Sequence, residues 1–349
     1  MTQEPKEQAS GTPTLQDVAT RAGVSSATVS RVINGGDSVR KETRSRVMRA
    51  IELLDYRPNL FARGLSGARA YTIGLAYDNP NAYLIVAALQ GALTACDDLG
   101  FGLHVHPFNS SAPNLAEKLR DFSNRLGLAG IVLAPPVSER SSALMSLRDC
   151  KIPVALVLSS SADPGGNSPC VYIDDRNAAY SITAHLIHLG HRRIGFLKGG
   201  KSHHASAERF DGYREALRDY NVVPSEELIV QGDYLFDDGF RGARRLLSLA
   251  RPPTAIFGSN DEIAAGALAA ARSDGLQIPH DISIAGFEDS PFSRQSWPPL
   301  TTARQPEDLI IERATRLLIA HIRGGKVENE GFKPELVVRG STAPPRREA

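Results

Sequence analysis

The stretch TLQDVATRAGVSSATVSRVIN, residues 14–34, contains the pattern that decides the fold of the N-terminal part of the chain. Thr14 followed by Asp17 resembles a capping box, with Asp in place of the usual Glu, and predicts the start of a first short helix. Gly23 supplies the positive φ that a sharp turn requires, and Ser25 can cap a second helix. Two short helices joined by such a turn predict a helix-turn-helix.

The second helix of this motif is expected to present different residues to the inside and to the outside. Val29 should point back between the helices. The outward residues are Ser26, Ala27, Ser30 and Arg31. A helix with such short outward side chains can enter a DNA major groove, where arginine reaches guanine and alanine contacts a thymine methyl. A plain helical hairpin with a solvated face has the same spacing and is the alternative interpretation.

Charge is distributed unevenly along the 349 residues. Residues 1–70 contain 11 Lys and Arg against 7 Asp and Glu, whereas the remainder contains 29 against 32. A basic head on a mildly acidic body favours contact between the head and a polyanion such as DNA. The length exceeds the roughly 250–300 residues at which one hydrophobic core usually divides, so we expect at least two domains.

The pattern of the sequence changes after Tyr71. Short apolar runs, such as 72–77 and 194–197, alternate with amphipathic helical stretches. This alternation predicts βαβ units, and hence two side-by-side parallel sheets covered by helices. A final helix over 306–323 and a strand over 335–339 follow both halves, so the chain is expected to cross between the two lobes more than once.

Segments along almost the whole chain resemble the lactose/galactose repressor (LacI/GalR) family of bacterial transcription regulators. Besides residues 14–34, they include ETRSRVMRAIELLDYRPN (42–59), ARGLSGARAYTIG (62–74), HLIHLGHRRIGFLKG (185–199), PTAIFGSNDEIAAGAL (253–268) and WPPLTTARQP (297–306). The resemblance implies a regulator whose operator affinity is switched allosterically by a small effector. It also implies that the α/β body is of the periplasmic-binding-protein type.

The fold class expected is therefore an α-helical helix-turn-helix head plus an α/β body of two parallel-sheet lobes. The expected boundaries are a disordered N-terminus over 1–12, the head over 13–58, a hinge over 59–70, the body over 71–342 and a tail over 343–349. Within the body, lobe one is expected over about 71–170 plus 304–327, and lobe two over about 171–303 plus 330–342.

The resemblance also implies a set of DNA-contacting residues: Thr14, Ser25, Ser26, Ala27, Thr28, Ser30, Arg31, Asn34, Arg44, Asn59, Ala62 and Leu65. The family commonly has a capping Ser or Thr where this chain has Arg40, at the start of a third helix expected over 41–54. That helix should therefore begin without a side-chain cap. Arg40 then either contacts a phosphate or is simply a solvated charge.

We expect the hinge to contact DNA. The alternative is that it is an inert linker. By resemblance, it folds into a short helix when two chains dock on a pseudo-palindromic operator, and Leu65 wedges into a minor-groove step. An apolar wedge of this kind kinks the duplex, and Ala62 lies one turn earlier on the same face. Gly64 lowers helix propensity by roughly 1 kcal/mol, so the hinge should be poorly helical without DNA.

Polar and aromatic residues near the predicted strand ends indicate an effector cleft, because ligands of open α/β sheets bind beyond the carboxyl ends of strands. Carboxylates, amides and an arginine fork suit a sugar or sugar-like ligand, and aromatic rings can cover a pyranose face. Arg209 lies in the segment that matches the family's effector-binding arginine. The family usually has Asp where Glu288 stands, so the ligand of a relative is not transferable. The candidates are Tyr83, Asp174, Arg209, Asn260, Glu288 and Trp297, although Trp297 could equally be a core residue.

Other motifs in the body do not support chemistry. Residues 195–202, GFLKGGKS, match the P-loop pattern, but 194–197 reads as a buried strand that leaves no loop to wrap a phosphate. The histidine pairs at 203–204 and at 104 and 106 lack metal-ligand spacing. The three cysteines are far apart, as in a reduced cytoplasmic protein. We expect no catalytic residue, no metal and no cofactor.

The function predicted is a cytoplasmic, nucleoid-associated repressor of carbohydrate-use genes that acts as a homodimer. A sugar-binding transport protein would share the body, but the helix-turn-helix and the lack of an apolar leader in the first ten residues argue against it. A P-loop enzyme is the weakest alternative. No heptad tail follows 344–347, which favours a dimer over a coiled-coil tetramer. No uninterrupted apolar stretch reaches the roughly 18–20 residues that would predict a membrane span.

Overall fold

A computed structural model describes residues 13–33, 39–56, 71–79, 81–158 and 168–346. The chain divides into two compact units, residues 1–69 and residues 70–349. The expected N-terminal disorder and the hinge lie outside the described residues, and so do the DNA contacts expected of Asn34, Asn59, Ala62 and Leu65. These four assignments stay predictions.

The first unit contains the helices α1 Leu15–Ala22, α2 Ser26–Ile33 and α3 Lys41–Leu53. The capping box predicted at its start is confirmed. The Thr14 hydroxyl accepts from the Asp17 N–H at 3.3 Å, and the Asp17 carboxylate accepts from the Thr14 N–H at 2.8 Å. Gly23 ends α1 with a φ of 63°, the left-handed conformation that the sharp turn requires.

The core of this unit consists of small apolar side chains from all three helices. Val18, Val29 and Val47, one from each helix, are completely buried. Ala19 is also buried, where it allows α2 to approach α1 closely. As expected, α3 follows Arg40 without a side-chain cap. The spacing in the sequence thus places the inward face of the helix-turn-helix correctly.

The second unit alternates strands and helices. Its strands are β1 Thr72–Tyr77, β2 Gly102–Pro107, β3 Gly130–Leu133, β4 Val154–Leu158, β5 Cys170–Ile173, β6 Ile194–Lys198, β7 Ile229–Gln231, β8 Ala255–Gly258, β9 Ser283–Ala285, β10 Thr302–Arg304, β11 Asn329–Phe332 and β12 Glu335–Val337. Its α-helices are α4 Ala82–Leu99, α5 Leu115–Leu126, α6 Ser141–Asp149, α7 Asp175–His188, α8 His204–Asp219, α9 Phe236–Leu247, α10 Asp261–Ser273, α11 Pro291–Gln295 and α12 Glu307–Ile322.

These strands form two parallel sheets, one for each lobe. The first has the order β11-β5-β4-β3-β1-β2 and the second the order β7-β6-β8-β9, with every pair parallel. An antiparallel pair, β10 with β12, accompanies the second sheet. The predicted α/β body of two parallel-sheet lobes is therefore confirmed.

The boundaries between the lobes differ from those expected. Strand β5 pairs with β4, so lobe one extends to Ile173 rather than ending near 170. Strand β11, which the sequence did not indicate, pairs with β5 and belongs to lobe one, whereas the 330–342 segment was expected in lobe two. Periodicity does not reveal which sheet a short strand joins, because pairing partners are distant in sequence. The chain crosses between lobes after Ile173, after Arg304 and after Phe332.

One described helix, Ala82–Leu99, is long and apolar enough to cross a membrane by length and composition. Such a test is also passed by core helices of other proteins. This helix includes Asp97 and Asp98, and it packs against α12 through Ala88, Ala92 and Ala95. It is therefore a helix of the body.

A glycine allows the two helices that cover one face of the second sheet to approach closely. A Cβ added to Gly212 of α8 would overlap the backbone carbonyl of Arg176 on α7. We expect Gly212→Ala to lower the free energy of unfolding by about 1–3 kcal/mol, because the helices would have to separate. Urea denaturation compared with Glu215→Ala, on the more open face of the same helix, measures this. Equal midpoints for the two variants would contradict the close approach.

Candidate functional site

The outer face of α2 has the arrangement expected for reading DNA. Ala27 and Arg31 are exposed, and Ser26, Thr28 and Ser30 are partly exposed. The opposite face of the helix, with Val29 and Val32, is buried against the core. Thr14 is exposed at the start of α1, and Arg44 is partly exposed on α3.

Hydrogen bonds within the motif orient the short polar side chains of this face. The Ser25 hydroxyl accepts from the Thr28 N–H at 3.2 Å and lies 2.9 Å from the Thr28 hydroxyl. The Ser26 hydroxyl donates to Gln16 Oε1 at 2.6 Å. Gln16 is exposed on α1 beside the outer face of α2, and the sequence interpretation missed it. The only signal in the sequence for this contact was that Gln16 is the second residue of α1.

A cavity of about 650 Å³ lies in the body, lined by residues of both lobes. Three of its carboxylates follow parallel strands: Asp78 follows β1, Asp175 closely follows β5, and Glu288 follows β9. Tyr83, at the start of α4, is 50% exposed and also lines the cavity. We call this cavity the cleft.

Arg209 of α8 is buried at the base of the cleft, and its guanidinium is already bonded to protein. Nε donates to Asp175 Oδ1 at 2.7 Å, and Nη1 donates to the backbone carbonyl of Ser259 at 2.6 Å. Nη2 donates to Gln305 Oε1 at 3.3 Å. These bonds use three of its five N–H groups, so Nη1 and Nη2 each keep one, and the expected forked donation to a ligand stays a prediction. Arg209 also orients the polar groups around it.

The guanidinium of Arg209 also contacts the turn after β9. It lies over the Phe287 ring, 3.7 Å from the centroid. Its Nη1 is 3.8 Å from Glu288 Oε1, an ion pair in which both side chains are almost fully buried. One guanidinium thus faces the carboxylates of both Asp175 and Glu288.

The backbone holds Glu288 in an unusual conformation. Its φ is 109° and that of Asp289 is 57°, both in the region that L-residues rarely adopt. Asp289 is fixed by ion pairs with Arg339 and Arg304. Such strain persists only where neighbours impose it, and here it accompanies the placement of the Glu288 carboxylate at the cleft.

Several buried polar atoms at the base of the cleft have no hydrogen-bond partner. They are Asp175 Oδ2, Tyr234 Oη and Glu288 Oε2. Burial raises the pKa of Glu288 to about 8 and that of Asp175 to about 6, against the opposing attraction of Arg209. Unpaired buried groups of this kind are costly, so their convergence in one cavity indicates a place for a polar ligand.

Asn260 lines the cleft and also begins α10. Its Oδ1 accepts from the Ile263 N–H at 2.9 Å as the helix cap, and its Nδ2 donates to the Tyr234 carbonyl at 3.4 Å. The amide therefore positions Tyr234, whose hydroxyl is one of the unpartnered groups. The next residue, Asp261, accepts from the Thr302 hydroxyl at 2.7 Å.

Two of the residues that were predicted to bind the effector do not line the cleft. The Asp174 side chain accepts from the Asn177 N–H at 3.2 Å as the cap of α7, and the next residue, Asp175, lines the cleft in its place. Trp297 is 81% exposed and lies outside the cleft, so it is neither a ring platform nor a core residue. Its position after β9 and α11 was not readable from the sequence.

The cleft also contains residues that the sequence interpretation missed. Two of these residues could have been found from the sequence. Asp78 directly follows a strand, and Gln305 lies where the chain crosses between the lobes. His203, considered in the sequence only as a metal ligand, lines the cleft, and burial lowers its pKa. The missed polar residues are Asp78, Asn79, Asn81, Ser110, Ser111, Asp175, Ser202, His203, Asp233, Tyr234, Glu262, Gln305 and Glu307.

The P-loop-like segment is a strand followed by a turn, as the sequence interpretation held. Gly195 lies within β6, and Lys201 is exposed. Side chains at Gly199 and Gly200 would overlap the Tyr234 ring and the Asp233 carboxylate. The glycine pair therefore makes room for residues of the neighbouring loop. Within the described ranges, no group of three or more His, Cys, Asp or Glu could hold a metal ion.

A helix-turn-helix head joined in one chain to a two-lobed body with a polar cleft defines a ligand-responsive DNA-binding regulator. The family profile "Bacterial regulatory proteins, lacI family" matches residues 14–59, and "Periplasmic binding protein-like domain" matches residues 183–342. Catabolite control protein A of Priestia megaterium is 33% identical over 320 residues, covering 90% of this chain and 94% of that protein. The chain belongs to the lacI family.

Solved structures agree with this assignment. A transcriptional regulator CelR–cellobiose complex has a TM-score of 0.71 and 30% identity, and the match covers 94% of this chain and 99% of that one. A lac repressor dimer bound to operator and the anti-inducer ONPF has a TM-score of 0.75 and 28% identity, over 95% of this chain and 100% of that one. The relatives are transcription regulators, not enzymes, and membership of their family implies a soluble cytoplasmic protein.

Proposed function

We propose that this protein is a homodimeric repressor of carbohydrate-use genes, and that a small sugar-like effector in the cleft switches its affinity for a pseudo-palindromic operator. The observation that carries the proposal is the cleft itself, in which partnerless buried polar atoms converge in a cavity of about 650 Å³. The CelR structure with cellobiose supports a sugar as the ligand class. Association with the nucleoid follows from operator binding.

The cleft is suited to a switch because both lobes line it. Lobe one contributes Asp78, Tyr83 and Ser110, and lobe two contributes Arg209 and Glu288. A ligand that contacts both lobes changes the free energy of their relative arrangement, and this is the differential contact that allostery requires.

A thermal-shift screen with mono- and disaccharides tests the proposal, because a bound ligand stabilises the body by mass action. Each stabilising sugar is then added to a fluorescence-anisotropy titration of operator DNA. We expect at least one sugar to raise the melting temperature and to change operator affinity about tenfold, in either direction. A sugar that stabilises the protein without changing operator affinity would contradict the switch.

Arg31 is proposed as the main base-reading residue of α2. We expect Arg31→Ala to weaken operator binding by about 1–3 kcal/mol, because a bidentate contact to guanine is lost. The protein should then bind operator and random DNA with more similar affinities. Anisotropy with both DNAs at one salt concentration measures this. The control Arg21→Ala removes the same charge from α1. Equal losses on both DNAs for Arg31→Ala would show that Arg31 contacts only phosphate.

The other head residues assigned to DNA are proposed on the same basis. Thr14, Ser25, Ser26, Ala27, Thr28, Ser30 and Arg44 lie on the described helices or at their ends, whereas Asn34, Asn59, Ala62 and Leu65 rest on the family resemblance alone.

A further inference from the structure

The charges that line the cleft are strongly unbalanced. Among the described lining residues, Arg209 is the one Lys or Arg. The acidic lining residues are Asp78, Asp175, Asp233, Glu262, Glu288 and Glu307. Such an excess of carboxylates repels an acidic or phosphorylated ligand.

The imbalance is most severe at the buried base of the cleft. Asp175 is 1% exposed and Glu288 is 8% exposed, and both face the single guanidinium of Arg209. One positive charge neutralises only one of two ionised carboxylates, so Glu288, with its pKa raised to about 8, is left protonated at neutral pH. Each of the two side chains also keeps one oxygen without a partner, Asp175 Oδ2 and Glu288 Oε2. A cation at this place would replace the proton of Glu288 and supply donors to these oxygens.

The neighbouring side chains do not supply that charge. Burial lowers the pKa of His203, which keeps its imidazole neutral at physiological pH. Glu307 adds a further carboxylate, whose pKa is raised by burial, and Tyr234 offers only an unpartnered hydroxyl. Burial is the main cause of the raised pKa values of Asp175 and Glu288, and neighbouring carboxylates raise them further against the attraction of Arg209.

We propose that the effector carries a protonated amine that sits against Asp175 and Glu288, which makes it an amino sugar with a free amine. An ammonium group brings both the charge and the N–H donors that this place lacks. A neutral sugar brings donors without the charge, and an acidic sugar adds to the excess. This inference rests on the proposed function, in which the effector is sugar-like.

Matched ligand pairs test the charge separately from the sugar. Calorimetry at pH 6.5, where a sugar amine is protonated, compares glucose with glucosamine, galactose with galactosamine, mannose with mannosamine, and cellobiose with the chitosan disaccharide. The members of each pair differ chiefly by amine in place of hydroxyl at C2. We expect the amine to bind at least tenfold more tightly in one or more pairs, and N-acetylation of that amine to remove the advantage.

Glu288→Gln locates the effect. This variant keeps the shape of the side chain and removes the group that can ionise against the ammonium, so the ratio of the dissociation constants of neutral sugar and amine should fall by about tenfold or more. The control Glu215→Gln, on α8 outside the cleft, should keep the full advantage. An advantage that Glu288→Gln leaves unchanged would overturn the assigned place.

The remaining outcomes separate this inference from the function on which it rests. If the neutral member of a pair binds as tightly as the amine or more tightly, the charge inference is wrong and the sugar-responsive function stands. If none of the eight sugars binds at millimolar concentration but another sugar of the thermal-shift screen does, the amine inference is wrong and the sugar-responsive function stands. If no sugar binds in either experiment, both are wrong.

Discussion

Arg209→Ala is expected to lower the free energy of unfolding of the body by about 3–5 kcal/mol, the usual cost of removing one partner from a buried charge pair. The substitution leaves the carboxylate of Asp175 buried without the cation 2.7 Å away. It also removes the donor to the Ser259 carbonyl and the positive charge facing Glu288. Effector binding should be lost as well, because the guanidinium orients the base of the cleft.

Urea denaturation followed by circular dichroism measures the effect. The control is Arg218→Ala on the same helix, where the side chain is 72% exposed, and its effect should stay within about 0.5 kcal/mol. Adding Asp175→Asn to Arg209→Ala should recover part of the stability, because asparagine needs neither a cation nor a proton at this buried position. Similar midpoints for Arg209→Ala and Arg218→Ala would show that the buried ion pairs do not hold the base of the cleft together.

Local sequence signals predicted the head well because its fold depends on neighbouring residues. The cap at Thr14, the left-handed Gly23 and the inward Val29 each act within a few residues. The two-lobed body was also predictable as a class, because alternating strands and helices have few other solutions. The sheet to which each individual strand belongs was not predictable. The pairing of β11 with β5 joins residues that are 159 positions apart, and no local pattern encodes it.

The sequence predicted at which strand ends the candidate site lies, but it did not always identify the residue that lines the site. Asp174 and Asp175 are both acidic and adjacent, and the chain has to use one to cap α7 and the other to pair with Arg209. Only the direction of the strand before them decides which is which. Trp297 shows a different limit, because a single large aromatic residue is compatible with a core, a ligand platform or an exposed position.

The contacts of Arg209 within the protein were not predictable for a similar reason. The sequence identifies an arginine near the cleft, but the number of its donors that remain free depends on Asp175, Ser259 and Gln305, which lie 34, 50 and 96 residues away. The structure moves the emphasis from the arginine to the carboxylates, and with it the expected charge of the ligand.

The second large effect concerns pH. Burial raises the pKa of Glu288 from an ordinary value of 4.5 to about 8. The folded protein therefore holds a proton that the unfolded chain has released, and the stabilisation from this group is complete below pH 4.5 and is lost as pH rises through 8. With about 1.4 kcal/mol for each pH unit between the two values, the contribution of Glu288 should fall by about 3 kcal/mol from pH 5 to pH 8. Asp175 and Asp261, with pKa values raised to about 6 and about 7, act in the same direction.

Histidines oppose this trend in the unmodified protein, so the test has to isolate Glu288. Burial lowers the pKa of His191 and His203, and stability therefore rises with pH near their ordinary value of 6.5. These contributions cancel in the difference between the unmodified protein and Glu288→Gln, measured by urea denaturation at pH 5, 6, 7 and 8. That difference should shift by about 3 kcal/mol in favour of the variant as pH rises, since glutamine has no proton to release. Glu215→Gln should show no such shift. A difference independent of pH would mean that Glu288 is already ionised at pH 5, in which case Arg209 compensates it fully and the charge deficit at the base of the cleft does not exist.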